Sequence, residues 1–190
     1  MVTFIATCFN EYNYVYGFIS SLLCQTNENW KCIIYQNGKN DEIRHLIQSF
    51  NDKRIKYLET EENNGYWGCF NRIDALNNHI DTELVIQTSI QDYYIKTTVD
   101  EILNTFTIYK SDIIYFDCLH NHFNYDILYT QLQCGRIDWG CFAIKTSLAK
   151  KIGINHPKEF TADGLFIEDC KRLTPNLSSI KINKILHIHN

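Results

Sequence analysis

Proline is scarce in this chain. Pro157 and Pro175 are the only two among 190 residues, which excludes a proline-rich linker. The eight cysteines (Cys8, Cys24, Cys32, Cys69, Cys118, Cys134, Cys141 and Cys170) form no Cys-x-x-Cys pair, so zinc-ribbon spacing is absent. No uninterrupted apolar run is long enough to span a bilayer. The opening Val2-Thr3-Phe4-Ile5-Ala6 has neither a charged leader nor a signal-like apolar stretch. We therefore expect a cytoplasmic protein without a transmembrane segment, its cysteines reduced and mostly acting as small core residues. There is no long Lys/Arg run and the net charge is −4, so nucleic acid is a poor partner. Any phosphate must be met locally, by a metal, a helix N-terminus or a single arginine. Glycine is missing from Thr7–Asn13. A dinucleotide-binding dehydrogenase or a nucleotidyltransferase needs a Gly-rich loop there, after its first strand.

What is present is a globular composition, 45% hydrophobic and 21% charged. The length suits a single domain over residues 1–190, with no internal repeat and no clear linker. Val2–Thr7 is a buried strand by its apolar, β-branched run. Tyr14, Val15, Phe18, Ile19, Leu22 and Leu23 then recur at helical spacing. Cys32–Tyr35 is a second strand, and Asn40 can cap a helix carrying Ile43, Leu46, Ile47 and Phe50. Strands at Ile55–Leu58, Leu84–Ile86 and Ile113–Phe116 alternate with further helical patterns. This βα alternation predicts an α/β fold with a mostly parallel sheet and helices on both faces. The second part is less regular: 120–133 reads as a loop, Cys141–Ile144 as a strand, Ala162–Leu173 as a helix and Ile180–Ile188 as a closing strand.

In such sheets ligands sit beyond the carboxyl ends of the strands. Phe9 and Glu11 follow the first strand, where an aromatic can stack on a base and a polar neighbour can read a base edge or ribose, or the aromatic can simply pack on the next helix. Asn37, in Gln36-Asn37-Gly38, offers a base both a donor and an acceptor, and the turn itself does not use it. Asp92 follows the fourth strand in Gln91-Asp92, a position suited either to a Mg²⁺ or Mn²⁺ ligand or to a helix cap. Asp163 can be a general base or a first-turn acid, and Glu168 and Asp169 lie nearby. His187 and His189 fall on one face of the last strand, as metal ligands or as a frayed terminus.

The order of these segments resembles glycosyltransferase family 2. Phe4–Glu11 and Ile33–Asp41 look like that family's opening elements. Asn63-Asn64-Gly65 with Asn71 is similar to its third, and Gln91-Asp92 falls where its Asp-x-Asp metal motif ends. Trp139–Lys145 resembles its later strand, Ala162-Asp163 the region of its base, and Leu186–Asn190 its terminal metal-site histidine. The resemblance implies a GT-A-like (Rossmann-like) three-layer αβα sandwich, with residues 1–95 binding the nucleotide sugar and 96–190 serving acceptor and catalysis. It implies transfer of a sugar from a nucleotide-diphosphate sugar, UDP-sugar favoured, to a glycan or glycoconjugate hydroxyl, with Mn²⁺ or Mg²⁺ and inversion. Thr7, Phe9, Glu11, Asn37, Arg72 and Gln91 would hold the donor, Asp92 and His189 the metal, and Asp163 would be the base. Phe123, Tyr125, Tyr129 and Trp139 could offer a sugar platform, although core or loop packing suits most of them better. The chain departs from the family at Thr7, where a proline is usual, at Gln36 and Asn37, usually acids, and at the first metal-motif acid, here Ser89 or Gln91. The alternative is a sugar-nucleotide-binding or interaction module without catalysis.

Overall fold

The structure, a computed structural model, describes residues 1–190 apart from the side chain of Phe123. The first half runs β1 (Val2–Cys8), α1 (Tyr12–Leu23), β2 (Trp30–Gln36), α2 (Asp41–Ser49), β3 (Ile55–Glu59), α3 (Cys69–Asn78), β4 (Leu84–Ser89) and β5 (Tyr93–Tyr94). The second half runs α4 (Thr98–Tyr109), β6 (Ile113–His120), β7 (Asp126–Leu128), β8 (Phe142–Lys145), α5 (Thr146–Ile152), α6 (Ala162–Leu173) and β9 (Ser179–His189).

The strands join one sheet in the order β3-β2-β1-β4-β8-β6-β9-β5, with β7 paired to β6. β1 pairs parallel with β2 and β4, β2 with β3, and β6 with β9; β8, β5 and β7 run against their neighbours. Most strands therefore point the same way. Every residue of β1 is buried, because both faces of the sheet are covered and its alternate side chains feed two cores. Phe4 and Ala6 join α1, α2 and α4 through Phe18, Ile43 and Val99. Ile5, on the other face, joins α3, α5 and α6 through Leu76, Ala149 and Phe166. The result is the expected three-layer αβα sandwich, with three helices on each face.

Two segments differ from the sequence reading. The strand expected at Ile113–Phe116 continues to His120, and the stretch expected to be a loop contains β7. β6 is sandwiched between β8 and β9, so tertiary pairing extends it beyond its apolar run. The two-residue β5, too short to leave a periodic pattern, pairs Tyr93 with Ile188 and Tyr94 with His187. That register sets Asp92 opposite His189.

The carboxyl ends of β1, β2, β4, β6 and β9 lie along one edge of the sheet, since Cys8 pairs Gln36, Thr7 pairs Ser89 and His120 pairs His189. β8 runs the other way, so it brings its beginning, and the turn Trp139–Cys141 before it, to the same edge.

Candidate active site

A cleft of about 740 Å³ opens along this edge. Thr7, Phe9, Glu11, Asn37, Arg72, Gln91, Asp92, Asp163 and His189 all line it. Residues far apart in sequence converge there because parallel strands share a carboxyl edge.

At its centre Asp92 is buried, with its carboxylate held on several sides. The Oδ2 atom accepts from Thr88 Oγ1 at 2.5 Å and from the Ser89 amide at 2.8 Å. Its Oδ1 atom lies 2.9 Å from His189 Nδ1. His187 Nε2 approaches Oδ2 at 3.5 Å and, fully buried, makes no hydrogen bond. Asp138 Oδ2 lies 3.9 Å from His189 Nδ1. Burial alone would raise the Asp92 carboxyl, but the charge of His187 and the charge and hydrogen bond of His189 outweigh it and hold Asp92 well below the usual range. His187 and His189 are both raised: burial opposes their charge and Asp92 overcomes it.

The ligand atoms of Asp92, Asp138, His187 and His189 lie within 4.8 Å of one another. Two carboxylates and two imidazoles fit a divalent transition ion, and the orphaned His187 nitrogen fits an unmet ligand. Imidazole favours Mn²⁺ over Mg²⁺, which prefers oxygen donors. The terminal strand is paired on both sides rather than frayed, so both histidines are fixed. Gly140 makes room for this: a Cβ there would lie 2.4 Å from His187 Nε2.

Around this centre, Arg72 on α3 is buried and gives Nη1 to the Thr88 carbonyl at 2.5 Å, while its Nε has no partner. Burial lowers its pKa, so an anion in the cleft would be a welcome partner. Glu11 and Gln91 hold one another, Gln91 Nε2 donating to Glu11 Oε1 at 2.5 Å. Burial raises the Glu11 carboxyl. Phe9 is half exposed, and Thr7 is buried under Gly68.

Of the three acids considered as a base, only Asp163 lines the cleft. It sits in the first turn of α6 and accepts from the Gly164 amide at 2.7 Å. Burial, then the charge of Asp138, pushes its carboxyl up to about 7. Glu168 accepts from the Cys134 amide at 3.2 Å, and Asp169 pairs with Arg172 at 2.6 Å.

Some expectations need correction. The Asn37 side chain is not free: Nδ2 donates to Asn63 Oδ1 at 2.7 Å and Oδ1 accepts from the Asn64 amide at 2.8 Å. It lines the cleft as a clamp on the 63–65 loop, because its buried amide must be satisfied. Among the described residues of the expected sugar platform, Tyr125 and Tyr129 do not line the cleft, and Trp139 lines it but is packed against Phe166. Phe123 lies outside the described residues. Asp138 and His120 were not singled out from the sequence, yet both line the site. Asp138 directly precedes the Trp139-Gly140 motif, but only the reversed direction of β8 turns it inward. His120 ends β6, beyond its apolar run, and packs at a tilt on His189 with ring centroids 4.3 Å apart. Burial, then His189, lowers its pKa to about 4.

Comparison with known proteins shows what the chain is similar to. Residues 3–73 match the family model "Glycosyl transferase family 2". That segment, which runs from β1 into α3, is similar to glycosyltransferase family 2. An Escherichia coli relative, "UDP-Glc:alpha-D-GlcNAc-diphosphoundecaprenol beta-1,3-glucosyltransferase WfgD", is 32% identical over 71 residues, covering 37% of this chain and 28% of the relative. Among solved structures, S. aureus TarS superposes with a TM-score of 0.80 at 17% identity over all of this chain and 36% of that one. The Pyrobaculum calidifontis mannosyltransferase PcManGT, in complex with GDP-Man and Mn²⁺, superposes with a TM-score of 0.74 at 13% identity, over 98% of this chain and 56% of that one. At those identities the structural likeness establishes the GT-A-like fold. The chain spans only part of the length of each protein. No helix among the described residues is long and apolar enough to cross a membrane.

Proposed function

We propose that this chain transfers a sugar from a nucleotide-diphosphate sugar, UDP-sugar favoured, to a hydroxyl of a glycan or glycoconjugate, with inversion. One observation carries the reading: a four-residue N/O cluster, an under-bonded arginine and an acid raised to about 7 share one cleft. Asp92, Asp138, His187 and His189 would hold Mn²⁺. The ion, when bound, neutralises charge on the leaving diphosphate. Asp138 supplies the second carboxylate that Ser89 and Gln91 do not, which answers the missing first acid of the metal motif.

Arg72 binds and orients the diphosphate through its unsatisfied guanidinium edge. Thr7, Phe9, Glu11 and Gln91 hold the nucleoside, with Asn37 fixing the loop beside it. Asp163, ionised, accepts the proton of the acceptor hydroxyl as its oxygen bonds to the anomeric carbon. The bond from that carbon to the diphosphate oxygen breaks, and the nucleoside diphosphate leaves with the electron pair. Attack opposite the leaving group gives inversion. A carboxyl near 7 suits this work, since such a base is both available and basic at neutral pH. Eight free cysteines support residence in the cytoplasm.

The test is thermal stability with UDP and Mn²⁺. Ligand at about 100 times its Kd adds about 2.7 kcal/mol, which for a chain of this size is a rise of roughly 5–10 °C in Tm. UDP with Mn²⁺ should raise the Tm of the wild-type protein and of Asp163→Asn, but not of Asp92→Ala. Asp163→Asn should lose transfer. Equal stabilisation of Asp92→Ala would remove Asp92 as a ligand. Donor binding with neither transfer nor slow donor hydrolysis would favour a non-catalytic module.

A further inference from the structure

The rim of the cleft carries a strained aromatic segment that the reading above leaves unused. Gly65, Tyr66, Trp67 and Gly68 have φ values of 65°, 51°, 51° and 72° in succession. The glycines bear this freely, but a bulky aromatic in the left-handed region does so at a cost. Burial does not repay it, because Tyr66 is 42% exposed and Trp67 59%. Strain that survives without burial points to function.

Across the opening stands Phe160, 68% exposed and three residues before Asp163. The Trp67 and Phe160 rings meet edge to face, with centroids 5.5 Å apart and planes at 72°. They form a corner, and both line the same cleft as Asp163. Lys158 Nζ stands 5.4 Å from the Tyr66 ring centroid, and Glu159, the chain neighbour of Phe160, also lines the cleft, so polar groups accompany this aromatic rim. A flat apolar face edged by hydrogen-bonding groups matches a pyranose ring, which has C–H bonds on its face and hydroxyls around its edge. An alkyl chain would gain nothing from the polar border.

We propose that Trp67 and Phe160 form an acceptor subsite that stacks on a sugar ring of a carbohydrate acceptor and delivers its hydroxyl toward Asp163. The proposal rests on the transferase reading of the cleft and names the substrate class of its acceptor side. The platform is supplied by Trp67 and Phe160, in place of the expected Tyr125 and Tyr129.

Trp67 is the one exposed tryptophan, since Trp30 and Trp139 are buried. Its fluorescence should change when cellobiose, N,N′-diacetylchitobiose, lactose or maltose is titrated with saturating UDP and Mn²⁺, for at least one of the four. Trp67→Phe should abolish the signal while keeping a weaker affinity by calorimetry. Phe160→Ala should weaken that affinity about tenfold. All variants should keep wild-type UDP affinity, and Trp67→Gly should keep or exceed the wild-type Tm because glycine relieves the strain. No fluorescence change with any disaccharide, or loss of UDP affinity in Trp67→Phe or Phe160→Ala, would overturn the subsite. Failure of the transferase reading registers separately, as absence of UDP binding by the wild-type protein.

Discussion

Asp163 shows how one residue trades stability for chemistry. Its carboxyl is raised to about 7, chiefly by burial. A raised acid is content while protonated and becomes costly once ionised. Its contribution to stability is therefore full below the ordinary aspartate range and is lost as pH rises through about 7. Asp163→Asn keeps an acceptor for the Gly164 amide and removes the titration. The variant should be more stable than wild type at pH 8, by about 2–4 kcal/mol from the size of the shift, and nearly equal to it at about pH 3, below the ordinary aspartate value. Urea titrations at both pH values, without added metal, check this; a constant difference would assign the effect to something other than ionisation. In the active protein the same acid should make kcat/KM rise with pH until about 7. Gly140 makes the converse point. A Cβ there meets His187 at 2.4 Å, and overpacking of this kind costs about 1–3 kcal/mol. Gly140→Ala should lower Tm and also weaken Mn²⁺-dependent UDP binding, because His187 must move. Calorimetry showing unchanged Mn²⁺ dependence would separate the glycine from the cluster.

At the scale of elements, what the sequence made legible follows from which interactions are local. The strands with continuous apolar runs and the helices with a clear stripe were readable, and so was the Asn40 cap, which accepts from the Ile43 amide at 3.0 Å. Asn40→Ala should cost about 1 kcal/mol, a loss visible in the urea midpoint, and should also weaken UDP binding, because Asn40 Nδ2 donates to Asn10 Oδ1 at 2.9 Å and so ties the cap to the loop that carries Phe9 and Glu11. The illegible parts depend on pairing partners distant in sequence. β5 has two residues, and its meaning lies in the register that sets Asp92 opposite His189. β8 reads as a strand either way, but its direction decides whether Asp138 faces the cleft. The entry to α3 is intermediate: Gly68 shows a turn, not that a Cβ would come within 2.7 Å of Thr7. Nor does the sequence disclose that Asn37 is spent on the loop ahead of that helix. Gly68→Ala should be destabilising twice over, by positive φ and by collision, and should weaken nucleotide binding as the loop and Thr7 separate. Unchanged Tm in this variant would show that the loop relaxes without strain.

For the whole molecule, the question is whether a nucleotide half (1–95) and an acceptor half (96–190) exist as separate bodies. The cores argue against separation. One cluster unites Phe4, Phe18 and Ile34 with Phe116, Ala143 and Leu186; the other unites Ile5 and Leu76 with Phe142 and Phe166. β8, from the second half, pairs directly with β4 of the first, and β5 of the first half pairs with the terminal strand. Cutting after residue 95 would strip apolar cover from both faces of the sheet and leave β4 as a bare edge, a state that favours aggregation over folding. The metal cluster spans the same boundary, with Asp92 on one side and Asp138, His187 and His189 on the other. The two halves should therefore unfold in one cooperative transition. Trp30 and Trp139 are buried reporters on opposite sides of the boundary, and Trp67 can be silenced as Trp67→Phe. In that background, Trp30→Phe and Trp139→Phe each leave a single reporter, and their urea curves, corrected for any change in overall stability, should have the same slope and the same midpoint as the circular dichroism of the same variant. A Trp30 signal that persists after the Trp139 signal is lost would mean that the first half holds its fold alone, and that the active cleft forms by docking of two units.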